Sequence, residues 1–484
     1  MIDFIPLMVI VPLACALLLN LFSNQNKLLK CLSFIVAIII PAIAILCSYG
    51  THYFGGYAPM VDNVTNTLYH PAITYTFTVF QQIFIALVGL LAFLVVLVYL
   101  TNYKKVSGFY LFLIFLGLAA ITAIILTDDI FNFYVFFEIL VLAQVGIVAA
   151  SSIENNYETA LKYMILGSIG GPMLLLGISF LLALTGSVNI SDIAIAVHSG
   201  VVSPTSSIFL MACALILFGW AYASGLPPFH TIKSRMYSKA EPHAAALIQS
   251  FTVISMIALA LIMIRIFMII PYFEIIIVGF SAIAMILGVS MALTQDDFRR
   301  MIAFLAVGEL GFIGLGLGLG THFAVTTGLF QALNEIVSTA LLFIGFGIIA
   351  RTVGETNISK LGGLIEYYPK TAILLLFGGL AMAGVPPFNG FQSKSMLVQA
   401  SLSCGFPELS LLAIIISIAT FLVFVRVFYM MFLKPKPKDL VVPKKPVSRS
   451  AIFAMIVLFA FCVVLGLFPG IVTSKIALFV GGLF

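Results

Sequence analysis

A polytopic α-helical membrane protein is what this 484-residue sequence predicts, on three observations. Hydrophobic residues make up 62% of it and charged residues only 8%, against about 25% charged in a soluble domain. Unbroken apolar runs reach the ~20 residues that a helix needs to cross a bilayer. Basic residues collect in alternate connections between those runs, as positive-inside sorting requires. A soluble enzyme of this length is excluded, because its surface could not be hydrated. Disorder is excluded by the apolar surface available for burial. A transmembrane barrel would show alternating segments of ~10 residues, which this sequence lacks.

Reading in order gives fourteen spans, near 3–22, 31–49, 78–100, 108–127, 129–150, 160–186, 206–226, 241–268, 270–293, 301–320, 323–350, 371–400, 409–433 and 451–473. The opening Met-Ile-Asp-Phe-Ile-Pro has no basic n-region, so its apolar run is expected to stay as the first span rather than leave as a signal peptide. Starting from 23–30, alternate connections hold most of the 23 basic residues, whereas the opposite set, including the long 50–77 loop, holds none. This separation predicts both termini on the outer side of the cell's inner (cytoplasmic) membrane. The segment KPKPKDLVVPKKPVSRS (434–450) reads as an extended basic strap in contact with lipid headgroups. The expected units are 1–107, 108–268, 269–433 and 434–484. No separate soluble domain fits.

Two segments echo each other. GLPPFHTIKSRM (225–236) and GVPPFNGFQSKSM (384–396) share Gly, Pro-Pro-Phe and a basic residue shortly after. Each follows an apolar span and predicts a break in the seventh and twelfth spans. Broken helices free backbone groups that lipid cannot satisfy, so they line protein or water-filled interiors. Paired breaks in two halves point to a transport site between them. Chance similarity of two such loops is the simpler alternative.

Ionisable residues inside spans cost about 2.5–3.5 kcal/mol each on insertion scales and need a reason. Glu138 lies mid-span in FNFYVFFEILVLAQVG, Lys162 opens the next span, Glu309 and Glu335 sit in the tenth and eleventh, and Lys394 follows the second break. His230 and His243 flank the junction of the seventh and eighth. Carboxylate, lysine and histidine in series make a proton path. The plainer readings are a structural ion pair for the carboxylates and Lys394, and a hydrogen bond to freed backbone for His230. Arg265 and Arg426 lie near span ends, where they can snorkel. GFIGLGLGLG (311–320) lies in a span, so it reads as close helix packing rather than a nucleotide loop. The six cysteines, Cys15, Cys31, Cys47, Cys213, Cys404 and Cys462, form no CxxC pair, so no metal or Fe–S site and no cofactor is expected in this chain.

FYVFFEILVLAQ, ETALKYMILGS, PPFHTIKSRMYSKAEPHAAAL, TQDDFRRMIAFLAVGELGFIG, LNEIVSTALLF and KLGGLIEYYPKTAILLLFGGLAMAGVPPFNGFQSK occur in this order over residues 75–435. In this the sequence resembles the antiporter-like membrane subunits of respiratory complex I, Mrp-type sodium/proton antiporters and energy-converting membrane-bound hydrogenases. The resemblance implies two inverted five-helix repeats, spans 4–8 and 9–13. It implies that Glu138 is the fifth-span glutamate of an ion path, that Lys394 is the twelfth-span lysine, and that Lys162 matches a lysine opening the sixth span. The usual seventh-span lysine is replaced by Ala223, and Gln249 to Thr252 stand where an eighth-span lysine or histidine is usual. The eleventh span carries Glu335 and Thr339 in place of His and Lys. His230, Arg235, Glu241 or His243 can substitute, and Arg235 aligns with Lys394 in the echo.

The resemblance implies a proton- or sodium-translocating subunit of a redox-driven complex, nearest an energy-converting hydrogenase or complex I relative. Any redox centre and further antiporter-like subunits would then lie in partner chains. An Mrp-type antiporter subunit and a non-pumping structural subunit are the alternatives. Nucleic acid is not an expected partner. A haem protein is disfavoured because His52, His70, His198 and His322 all fall in outer connections, leaving no second span to complete a bis-His site. The ordered segments also disfavour an unrelated solute carrier.

Overall fold

In the computed structural model the described residues are 4–54, 60–61, 68–69, 73–151, 153, 156–443 and 447–483. The chain is a bundle of α-helices. The first three are α1 (Leu7–Leu21), α2 (Asn26–Leu46) and α3 (Val79–Asn102). Between α2 and α3, β1 (Gly50–Tyr53) pairs antiparallel with β4 (Thr74–Phe77), and β2 (Met60–Val61) with β3 (Leu68–Tyr69). Then follow α4 (Gly108–Leu126), α5 (Ile130–Ala149), α6 (Asn156–Thr185), the short α7 (Ile190–His198) and α8 (Ser207–Ser224). Next come α9 (His230–Lys239), α10 (Pro242–Phe267), α11 (Phe273–Leu293), α12 (Phe298–Gly318) and α13 (His322–Val353). The last are α14 (Pro369–Ala383), α15 (Asn389–Ser403), α16 (Pro407–Phe428), α17 (Arg449–Leu467) and α18 (Gly470–Gly481).

Twelve of these helices are long and apolar enough to cross a membrane, and α1 and α14 are shorter apolar helices. α8 fills the region expected as the seventh span and α9 follows it, while α14 and α15 fill that expected as the twelfth, each pair interrupted at the Pro-Pro-Phe echo. Two further helices lie wholly or mostly outside the expected spans. The connection 187–205 holds α7, capped by the Asn189 side chain on the amides of Ser191 and Asp192. α18 carries Lys475 beyond the last expected span. Lys444 and Lys445 of the basic strap lie outside the described residues.

The centre is made by helices whose surfaces are covered on every side. α10 and α12 are wholly buried along their most apolar stretch, while α2 and α16 are one-third buried. A helix that is apolar all round and fully covered is a core helix. Close approach is achieved with glycine, as the 311–320 pattern predicts. A methyl on Gly311 would lie 2.6 Å from the Ser281 carbonyl oxygen of α11, and one on Gly316 would lie 2.6 Å from the Gly328 Cα of α13.

One local device occurs twice. Asp129 caps α5 by accepting from the Asn132 amide, and Ile130 and Ile190 exchange backbone bonds with Val188 and Asp128. Asp297 caps α12 by accepting from the Arg299 amide, and Phe298 and Ile358 do the same with Thr356 and Asp296. Asn189 and Asn357 are the matching partners, at the same separation in sequence. Five crossings, α5, α6, α8 with α9, α10 and α11, lie between Asp129 and Asp297, and because that number is odd the two copies sit on opposite faces of the bundle.

Candidate functional site

The two breaks place a lysine each in the interior. Gly225 and Gly384 end α8 and α14 with φ of 69° and 81°, a left-handed turn that glycine adopts without strain. The chain then reverses through Pro-Pro-Phe and restarts as α9 and α15. Lys233 passes directly beneath Gly225, whose absent Cβ would overlap its Cγ, and the Cδ of Lys394 passes 3.1 Å from where a Gly384 Cβ would stand. Glycine is therefore required twice over at each break, for φ and for the lysine stem.

Lys394 is fully partnered. Its Nζ donates to Glu309 Oε1 at 2.7 Å and to the Met382 carbonyl at 2.7 Å, and lies 4.3 Å from the centre of the Phe312 ring. Gln331 Nε2 donates to the other Glu309 oxygen at 2.8 Å. Both charged side chains are almost completely buried. Such a pair is held only where geometry is good and the remaining lone pairs are satisfied, as they are here. The break itself is pinned by Asn334 Nδ2 donating to the Asn389 carbonyl and by Asn389 Nδ2 donating to Asn334 Oδ1 at 3.1 Å.

The polar groups continue from this pair. Glu335 follows Gln331 by four residues on α13, about one turn or ~6 Å along the axis. Its Oε1 accepts from Gln249 Nε2 at 2.9 Å and from the Thr339 hydroxyl. On α10, Thr252 follows Gln249 by three residues on the same face. The Thr252 hydroxyl is 3.3 Å from Lys233 Nζ, and Gln144 Oε1 of α5 is 3.4 Å from it. Lys233 Nζ also sits 4.8 Å from the centre of the Tyr163 ring. Tyr163 stacks on Tyr222 at 5.8 Å, Tyr222 fills the groove at Gly170, and the neighbouring Gly171 leaves room for the Glu138 carboxylate. The result is a chain of polar side chains from Lys394 to Glu138 through the middle of the bundle.

The expected site residues divide accordingly. Lys394, Glu309 and Glu335 are buried and joined as described. Glu138 is half-buried at the far end, against α6. His230 is buried beside the first break, with the Pro228 backbone next to its ring. His243 stands at the start of α10, 3.4 Å from the Tyr110 hydroxyl and stacked on Tyr99. It lines a cavity of about 1040 Å³ on the face of the basic connections, with Glu241, Tyr103, Lys239, Arg299 and Arg351. Burial and the Glu241 carboxylate push the Tyr103 phenol there up to about 12, so it stays a donor at neutral pH.

Two residues do not fit the axis. Lys162 is exposed on α6 and pairs with Glu158 one turn earlier. Arg235 is exposed, and Lys233 occupies the interior in its place. The physical reason is helical phase: residues two apart on a helix point about 200° apart. Lys233 was missed in the sequence, although Phe229, Lys233, Met236, Tyr237 and Ala240 form one i, i+4, i+7, i+8, i+11 stripe whose other members are apolar. The surface position of Lys162 gives a direct expectation. Lys162→Ala should leave ion flux in reconstituted vesicles within twofold of wild type, and a loss of more than tenfold would restore Lys162 to the path.

The profile described as NADH:quinone oxidoreductase/Mrp antiporter, TM, matches residues 127–434. The chain is 36% identical to the uncharacterized protein MJ1309 of Methanocaldococcus jannaschii over 98% of this chain and 96% of that one. It is 30% identical to the putative antiporter subunit mnhD2 of Staphylococcus aureus over 72% and 69%. In fold it is similar to a subunit in the Mrp complex of Dietzia sp. DQ12-45-1b, with a TM-score of 0.90, 22% identity and coverage of 99% and 97%. It is also similar to a subunit of the membrane-bound sulfane sulfur reductase, an archaeal respiratory membrane complex, with a TM-score of 0.87, 25% identity and full coverage of both chains. With a matched profile across more than half its length and a polar axis running through the matched segment, the chain belongs to the transmembrane family of NADH:quinone oxidoreductase and Mrp antiporter subunits.

Proposed function

We propose that this chain is an ion-translocating subunit of a multisubunit membrane complex, and that protons move along the axis from Glu138 through Lys233 and Glu335 to the Glu309–Lys394 pair. One observation carries the reading: titratable groups of both signs follow one another through the bundle interior, each hydrogen-bonded to an uncharged polar side chain, Lys233 to Thr252, Glu335 to Gln249 and Thr339, and Glu309 to Gln331. Intramembrane ionisable groups arranged this way mark ion pathways. Buried oxygens with no hydrogen-bond partner among the described residues lie along the same line, at Gln249 Oε1, Gln331 Oε1 and Glu335 Oε2. Such atoms are satisfied by internal water, and water between them completes a hydrogen-bonded relay. Charge at one site changes proton occupancy at the next through Coulomb coupling in a low dielectric. The cavity beside His243 serves as the aqueous mouth on the basic face, which we assign to the cytoplasmic side of a cell inner membrane.

The complex is redox-driven in this reading, with any redox centre and further antiporter-like subunits in partner chains. Full-length likeness to a subunit of the archaeal sulfane sulfur reductase supports it. The mnhD2 relatives favour a second reading, a subunit of a sodium/proton antiporter without redox partners. The experiment is Glu138→Gln in the purified complex. Ion translocation should fall at least tenfold while electron transfer, where present, continues. Undiminished translocation would remove Glu138 from the path.

A further inference from the structure

A second site lies on the basic face, away from the axis, where the first turns of α14 and α17 meet. Between them is a cavity of about 390 Å³. Its wall includes Tyr368, Lys370, Thr371, Arg449 and Ile452, and none of the described residues lining it is acidic. Two helix N-termini open here without side-chain caps. Tyr368 and Ser448, the residues at their N-cap positions, make no capping bond. The Lys370 and Thr371 amides find no acceptor among the described residues. Uncapped amides at a helix start, with the positive end of the helix dipole, form an anion-binding surface. A separate observation points to a ligand. Thr371, one of the residues that line the cavity, is 1% exposed, and its hydroxyl has no hydrogen-bond partner among the described residues. A buried hydroxyl left unpaired in this way is costly and matches a phosphate oxygen as acceptor.

We propose that this cavity binds the phosphodiester headgroup of an anionic phospholipid. Lys370 and Arg449 neutralise the phosphate, the amides of α14 and the Thr371 hydroxyl fix it, and the acyl chains run down the apolar flanks of α14 and α17. A lipid rather than free phosphate suits the position. The cavity sits at the start of two apolar helices, on the face where basic side chains meet headgroups, and Ile452 and the tyrosine ring provide an apolar wall below the charges. The inference is independent of the ion path.

The test is native mass spectrometry of the full chain in its membrane complex, titrated with phosphatidylglycerol, phosphatidylcholine or inorganic phosphate. Wild type should hold one phosphatidylglycerol per chain in preference to phosphatidylcholine. Lys370→Ala/Arg449→Ala should bind it roughly 30-fold more weakly, from the worth of two basic side chains near a headgroup. Lys370→Arg/Arg449→Lys should retain it. Thr371→Val, which keeps the side-chain shape, should weaken binding severalfold and is the decisive variant where the double alanine fails to fold. Equal affinity for the two lipids, or unchanged phosphatidylglycerol binding in Thr371→Val and in the double alanine, would overturn the site. Phosphate binding with the same variant dependence and no retained lipid would overturn the lipid assignment.

Discussion

Glu309→Ala should abolish ion translocation and destabilise the chain by about 3–5 kcal/mol, the cost of leaving one member of a buried ion pair alone. The Lys394 ammonium would keep the Met382 carbonyl and the face of Phe312 but lose its only carboxylate partner among the described residues. Gln331 would lose the acceptor for its amide. Lost transport in this variant alone does not distinguish a conducting pair from a structural one, since a misfolded subunit also fails to conduct. Glu309→Gln/Lys394→Met separates the two. It removes both charges, keeps a neutral acceptor for Gln331 and fills a similar volume, and replacement of a buried pair by neutral groups is often near neutral for stability. Thermal melting and assembly should therefore return to within about 1 kcal/mol of wild type, while proton flux into vesicles stays at background. Flux returning together with stability would show that the pair only holds α12 against α15.

The bundle was legible in the sequence because membrane constraints are severe: long apolar runs and sorted lysines leave few alternatives. Both breaks were legible too, since Gly-x-Pro-Pro cannot continue a helix. The axis was less so. Glu309, Glu335 and Lys394 show themselves as charges in apolar runs, but nothing along the chain says that Glu309 and Lys394 touch, because they come from α12 and α15. The bridging groups Gln249, Thr252 and Gln331 are ordinary polar residues until packing brings them between charges. Lys162 lies off the axis for a related reason. It opens α6 at a matching position in the resemblance, but Glu158 four residues before it already supplies an i, i+4 partner on the surface.

Lys233→Met should lower ion flux at least tenfold, and Arg235→Met should leave it within twofold. The two lysines after the breaks differ in their distance from the helix start. Lys394 lies five residues into α15 from Asn389, whereas Lys233 lies three into α9 from His230. A gap-free reading of the echo therefore pairs Lys394 with Arg235, while the bundle turns Arg235 outward and Lys233 inward. Lys233 has no carboxylate within ion-pair distance among the described residues. Its neighbours are the Gln144 oxygen, the Thr252 hydroxyl and the Tyr163 ring, at distances longer than strong hydrogen bonds. A lysine held so loosely in a low-dielectric interior is poised to respond to charge arriving at Glu138 on one side or Glu335 on the other. Methionine keeps the stem and its packing under Gly225, so Lys233→Met tests charge without opening a cavity. Gly225→Ala gives an independent check, because its Cβ would displace the Lys233 stem and force a non-glycine residue to φ of 69°. Both variants should lose flux while the purified protein melts cooperatively. Wild-type flux in Lys233→Met with loss in Arg235→Met would mean that the conducting lysine is the one the sequence echo selected, and that the buried position of Lys233 serves packing alone.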